Sequence, residues 1–200
     1  MSADLAPSDA RAAPEYDPRD EDGRLRVDYV AAIEVAIEES DVAGLKRLTV
    51  DQHEADLGDL LEALDADQRA ELIRLLGADF DFTALIEVDD TIREQILEDL
   101  SPAEVAEGVR DLESDDAVYI LEDLDEADQK AVLDQIPVAE RIQLKRALDY
   151  PDDSAGRLMR SEFIAVAPFW TVGQAIDYCR ETDDLPESFT EIYVIDEAFR

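Results

Sequence analysis

Apolar residues return every twelve positions through the middle of the chain: Leu64, Leu76, Val88, Leu100, Leu112, Leu124, Ile136 and Leu148. Each precedes a polar turn and a short helical stretch. Eight and nine positions beyond several of these anchors stand the pairs Leu72-Ile73, Ile96-Leu97, Ile120-Leu121 and Val132-Leu133, which give each short helix one apolar stripe. Helices of only two or three turns are not stable alone, so these must stack on their neighbours. The expected fold is mainly α, a superhelix of short stacked helices.

The turns agree with that placement. Ser101-Pro102-Ala103-Glu104 reads as an N-cap, a proline at the first helical position and a capping-box carboxylate. Asp65 with Gln68 and Asp125 with Asp128 repeat part of the pattern, and Ile136-Pro137 opens another helix. A longer echo relates Ala55-Asp56-Leu57, Leu61, Leu64, Asp67 and Leu72 to Ala103-Glu104-Val105, Val109, Leu112, Asp115 and Ile120. Upstream, Val30, Ile33, Ile37, Leu45 and Leu48 recur at helical spacing, with Asp41 placed to start the second arm of a helical hairpin. Residues 1 to about 24 are rich in Ala, Asp, Pro and Arg without a period, so a disordered leader is expected there.

At Tyr150-Pro151-Asp152-Asp153 the rhythm stops. Glu162 to Val166 reads as a strand, Thr171 caps a helix through Val172, Ala175, Ile176 and Cys179, and Ile192 to Ile195 reads as a second strand. Strand, helix, strand is an α/β element, and about 50 residues with one crossover are expected to form only part of a domain. The organisation expected is therefore a leader over 1–24, a helical domain over 25–150, and a junction with a partial α/β element over 151–200.

Charge narrows the partners. Fifty-three acidic residues against 18 Lys plus Arg give a formal charge of -35, a field that repels nucleic acid and anionic lipid and attracts cations. The acids are spread along the chain and only Lys46, Lys130 and Lys145 are lysines, a composition that resembles proteins of salt-rich, halophilic cytoplasm. No segment approaches 18 uninterrupted apolar residues, and no signal peptide is read at the start, so direct membrane insertion is not expected. Cys179 and His53 are each single, which excludes an internal disulfide and a zinc site of the usual Cys/His kind.

No glycine-rich phosphate loop and no His-Glu-x-x-His motif occurs, and catalysis is not expected. His53 beside Glu54 or Asp56 reads as a solvated or packed side chain, and Cys179 on the Ile176 stripe as an inert thiol. Carboxylate groups remain: Asp115-Asp116, Glu122-Asp123, Asp125-Glu126 with Asp128, and Glu104 with Glu107 offer hard oxygen ligands suited to a hydrated Mg²⁺. In so acidic a chain, such pairs also arise as ordinary solvated faces.

The repeated short helices, the run Asp149-Tyr150-Pro151-Asp152-Asp153-Ser154-Ala155-Gly156-Arg157-Leu158-Met159, the strand Glu162 to Val166 and the run Tyr193-Val194-Ile195-Asp196-Glu197 together resemble the cytosolic part of the MgtE magnesium transporters. The tyrosine-proline-acid-acid-Ser-Ala-Gly-x-Leu-Met junction is the specific part, marking where the family's helical N domain passes into its first CBS domain. The resemblance implies a weak, regulatory Mg²⁺ sensor on the cytoplasmic side of a membrane, in a homodimer whose partners are the pore domain and the remaining CBS region of the same full-length protein. It also places family ligands on the helix that here reads Leu100 to Glu107, so that Glu104 and Glu107 are the implied acids. Ala103 replaces the first acid of the family pair. Asp115 and Asp116 on the next helix keep the pair, and all four are carried forward as Mg²⁺ ligands. The competing reading is a helical-repeat scaffold for protein interaction with a CBS-like attachment, which would need an exposed apolar or aromatic groove.

Overall fold

The computed structural model describes residues 18–50, 52–151, 153–182, 185–186 and 189–196. Most of the expected leader, Asp152 of the junction, and the final stretch from Glu197 to Arg200 lie outside them. The chain packs as two compact units, the first ending at Glu104 and the second beginning at Val105.

In the first unit, Arg19 makes ion pairs to Asp56 at 2.5 Å and Asp59 at 2.6 Å, holding the start of the described chain. Helices α1 (Val27–Glu38) and α2 (Val42–Thr49) form the expected hairpin, with Asp41 accepting from the Gly44 amide at the start of α2. Ile33, Ile37 and Leu45 are buried, as their spacing requires. Tyr29, more than Val30, completes that face: it is 1% exposed and its hydroxyl donates to the Leu48 carbonyl at 3.1 Å. Burial, with Asp56 nearby, pushes its phenol up to about 12. Helices α3 (Glu54–Ala63), α4 (Ala66–Leu76) and α5 (Asp90–Asp99) follow, and α4 packs against α1, α2 and α5.

The twelve-residue rhythm is the packing rhythm. All four apolar pairs are buried, and so are the anchors Leu64, Leu76, Val88, Leu100 and Ile136; Leu112, Leu124 and Leu148 are half-buried. Between Leu76 and Val88 the unit holds two short 3-10 turns, Gly77–Asp79 and Phe82–Ile86, instead of an α-helix. Gly77, with φ 54°, ends α4 in a conformation other residues avoid, and Asp81 caps the second turn by accepting from the Thr83 amide. Phe80 and Phe82, both buried and edge-to-face at 6.0 Å, fix this tighter path.

Helix α6 (Pro102–Arg110) crosses the boundary between the units. In the second unit, α7 (Ser114–Glu122) buries Ala117, Val118, Ile120 and Leu121 and packs on α9 (Val138–Leu148). Helix α8 (Glu126–Leu133) starts at Asp125, which accepts from two amides, and Pro137 occupies the N-cap position of α9 without a side-chain hydrogen bond. Strands β1 (Ile164–Val166) and β2 (Ile192–Val194) pair in parallel, Ile164 opposite Ile192, with α10 (Val172–Glu181) as the crossover. Thr171 and Gln174 cap α10 reciprocally. No other strand of two or more residues occurs among the described residues.

Candidate metal centre

The four carboxylates read from the sequence fall in different settings. Ser101 and Glu104 form the expected capping box: the Ser101 amide donates to Glu104 Oε2 at 2.7 Å, and the Glu104 amide donates to Ser101 Oγ at 3.3 Å. Arg74 Nε stands 3.3 Å from the same carboxylate. The Ser101 hydrogen bonds, then Arg74, hold the Glu104 carboxyl below its ordinary value. Glu104 is thus already engaged in holding α6, and Glu107 is exposed one turn on. Neither belongs to a three-carboxylate group among the described residues.

Asp115 and Asp116 do. They occupy the first turn of α7, where the helix dipole favours anions, and Glu113 stands immediately before that helix. One oxygen from each of Glu113, Asp115 and Asp116 lies within 4.8 Å of the others. Three carboxylate oxygens brought this close suit one divalent cation, and Mg²⁺ at such a site would keep several of its waters. Asp115 Oδ1 is buried without a hydrogen-bond partner among the described residues.

Arg160 stands among these acids. Arg160 Nε donates to Asp115 Oδ2 at 2.9 Å, and its Nη1 pairs with Glu113. Beside it, Glu162 Oε2 accepts from the Ser114 amide at 3.2 Å and from the Ser114 hydroxyl at 2.8 Å, while the Ser161 amide donates to Ser114 Oγ at 2.8 Å. Burial first, then Asp115, raises the Asp116 carboxyl, with Arg160 opposing. Burial raises Glu113 as well; Arg160 opposes it, and Asp115, Asp116 and Glu162 add to it.

These shifts have opposite signs for stability. A raised carboxyl binds its proton more tightly in the fold than in the unfolded chain, so Asp116 and Glu113 oppose folding while ionised, and that penalty is relieved as pH falls through their folded values. Glu104, lowered, stabilises above its unfolded value, and its contribution is lost as pH falls through the folded one. Carboxyl-carbon NMR is expected to show Asp116 titrating above a free aspartate and Glu104 below a free glutamate. An Asp116 midpoint at or below that of free aspartate would contradict the burial argument.

The junction that carries Arg160 is tightly built. A Cβ on Gly156 would fall 2.8 Å from the Tyr150 ring, so only glycine lets that ring lie against the chain. The next residue, Arg157, is buried; its Nε donates to Glu122 Oε1 at 2.8 Å and its Nη1 reaches the Ala147 and Leu148 carbonyls at the end of α9.

His53 caps α3, its Nδ1 accepting from the Ala55 amide at 3.3 Å, and the Glu54 carboxylate is 3.2 Å away. Cys179 is half-buried beside Ile176 in an apolar cavity of about 550 Å³, lined also by Val166, Trp170, Phe189 and Val194. Glu113 was legible as the i-3 neighbour of Asp116, yet the paired-acid pattern passes over it. Arg160 and Glu162 lie more than 40 residues from their partners, and no local spacing marks them.

Short stacked helices with an acidic helix start, leading into a parallel α/β element, define a cation-attracting helical module. Residues 52–153 match the family model of the MgtE intracellular N domain, and the chain belongs to that family. It is 23% identical over 144 residues to the magnesium transporter MgtE of Bacillus subtilis (strain 168), a match covering 72% of this chain and 32% of that protein. The chain thus spans about a third of that relative. Among solved structures, the soluble part of a magnesium transporter aligns with a TM-score of 0.70 at 23% identity, covering 85% of this chain and 67% of that one. The cytosolic domain of the Mg²⁺ channel MgtE in complex with ATP aligns with a TM-score of 0.72 at 25% identity, covering 84% and 69%. No helix among the described residues is long and apolar enough to cross a membrane.

Proposed function

We propose that this chain is the Mg²⁺-sensing regulatory region of a magnesium transporter or channel, without catalytic activity, acting from the cytoplasmic side of the membrane. The observation that carries the reading is the convergence of Glu113, Asp115 and Asp116 at the start of α7 in a chain of this family. In this reading the helical domain runs over 25–150 and the first CBS motif begins at 151. The pore domain and the remaining CBS region of the full-length protein, in a homodimer, receive the signal.

Acidic surfaces brought together repel, and a divalent ion between them reverses the sign, so closure becomes linked to ion concentration. The ion shifts the gate only by its preference for the closed form. Binding is weak because the ion keeps much of its water. The dispersed acidity is a halophilic solvation shell on which this one site is built.

The apolar cavity on the α/β element is the feature that favours the protein-interaction scaffold. We assign it instead to the remaining CBS region, which brings a second α/β element to cover that face.

Calorimetry in high background KCl tests the ion site, since screening by monovalent salt is then already saturated. Mg²⁺ is expected to bind, and D115N/D116N to weaken it roughly tenfold, about 1.4 kcal/mol. E104Q and E107Q are expected to change it little. Equal affinity in the wild type and D115N/D116N would sink the assignment.

A further inference from the structure

We propose that Arg160 is a tethered cation that pins residues 157–162 along α7, doing without a free ion what a divalent ion would do at the same carboxylates. The pinning stands on the contacts themselves; only its regulatory meaning rests on the Mg²⁺ reading above.

The two ends of this segment grip the two ends of one helix. Arg157 meets Glu122 in the last turn of α7, whereas Arg160, Ser161 and Glu162 meet Glu113, Ser114 and Asp115 at its start. A nine-residue helix rises about 12 Å between its end residues, and five extended steps cover about 17 Å. Residues 157–162 therefore run antiparallel along α7 with slack to spare.

The grips differ in kind. The Arg157 side chain is 9% exposed and bonds to carbonyls as well as a carboxylate. The Arg160 side chain is 46% exposed and its partners among the described residues are carboxylates, so salt and ions reach it. Three carboxylates, Asp115, Glu113 and Asp116, act on that guanidinium, and Glu162 acts in turn on Glu113. Without the guanidinium, Glu162 would be held beside Glu113, itself next to Asp115 and Asp116, with the Arg160 charge gone, and the Ser114 and Ser161 bonds would have to form against that repulsion.

Arg160 thus keeps this contact closed when no divalent ion is present. Its removal converts an ion-independent contact into an ion-dependent one.

Amide hydrogen exchange on the full chain, by NMR in EDTA and moderate KCl, tests this. In the wild type, the Ser161 and Ser114 amides, bonded to Ser114 Oγ and Glu162, are expected to be protected. In R160Q their protection is expected to fall roughly tenfold or more, while the core amides of Ile120 and Leu121 keep theirs. R160K, which retains the charge, is expected to keep most of the protection. Mg²⁺ is expected to restore it in R160Q, whereas KCl of equal ionic strength does not.

Unchanged Ser161 and Ser114 protection in R160Q overturns the pin. Protection lost in R160Q but not regained with Mg²⁺ leaves the pin standing and overturns the Mg²⁺ reading of these carboxylates. If the core amides also lose protection, R160K decides: retention supports the pin, and a loss equal to that of R160Q removes it.

Discussion

Leu72→Ala is expected to destabilise the first unit by about 2–5 kcal/mol, the usual range for truncating a fully buried leucine. Leu72 has no exposed surface, and its helix, α4, packs against α1, α2 and α5, so the cavity is walled on several sides and has little room to collapse. The matched control is Asp67→Asn in the first turn of the same helix. Asp67 is exposed, and losing its charge near the helix start removes at most about 1 kcal/mol, less in salt. Both variants belong in high KCl, where the self-repulsion of a chain carrying -35 is screened. Chemical denaturation followed by circular dichroism reads the difference. A Leu72→Ala loss no larger than that of Asp67→Asn would mean that the twelve-residue rhythm does not mark the core.

That rhythm made most of the helical fold legible. Leu72, Ile96, Ile120 and Val132 each recur eight residues after an anchor, and all four are buried, because the spacing is a local consequence of helix geometry. Caps were legible for the same reason: Ser101 with Glu104 and Asp65 with Gln68 are reciprocal pairs three residues apart. Where the rhythm misled, between Leu76 and Val88, the period persisted but Gly77 and the two phenylalanines bent the chain into 3-10 turns. Anchors tell which residues go inside, and the residues between them decide the helix type.

The proposed ion site was legible in part. Asp115 and Asp116 stand out as paired acids, and Glu104 is as suitable by its residue type and position, although it also caps α6 and pairs with Arg74. A capping box and a metal ligand demand the same residue types at the same helix start, so sequence alone does not separate them. Arg160 was invisible for a different reason. Its partners are brought to it by the fold of the junction, and a lone arginine in an acidic chain carries no periodic signal.

The buried arginine of that junction carries the second large effect. Arg157→Met is expected to destabilise the second unit by about 2–4 kcal/mol, somewhat below the usual loss on breaking a fully buried charge pair. The discount follows from Glu122, whose side chain is 30% exposed and regains some water when its partner is removed. The Ala147 and Leu148 carbonyls do less well, since they lie at the end of α9, where the helix dipole concentrates negative charge and a cation is favoured. Methionine fills much of the volume but donates nothing to either acceptor. Arg157→Lys keeps the charge but not the planar fork that reaches a carboxylate and carbonyls at once, so it is expected to fall between the two. Because the guanidinium is buried, the loss should change little between low and high KCl, unlike any effect at the half-exposed Arg160. Denaturant titrations of the three proteins at two salt concentrations measure both quantities. A Met variant within about 0.5 kcal/mol of wild type would show that Tyr150 against Gly156, and not the guanidinium, holds the junction to α9.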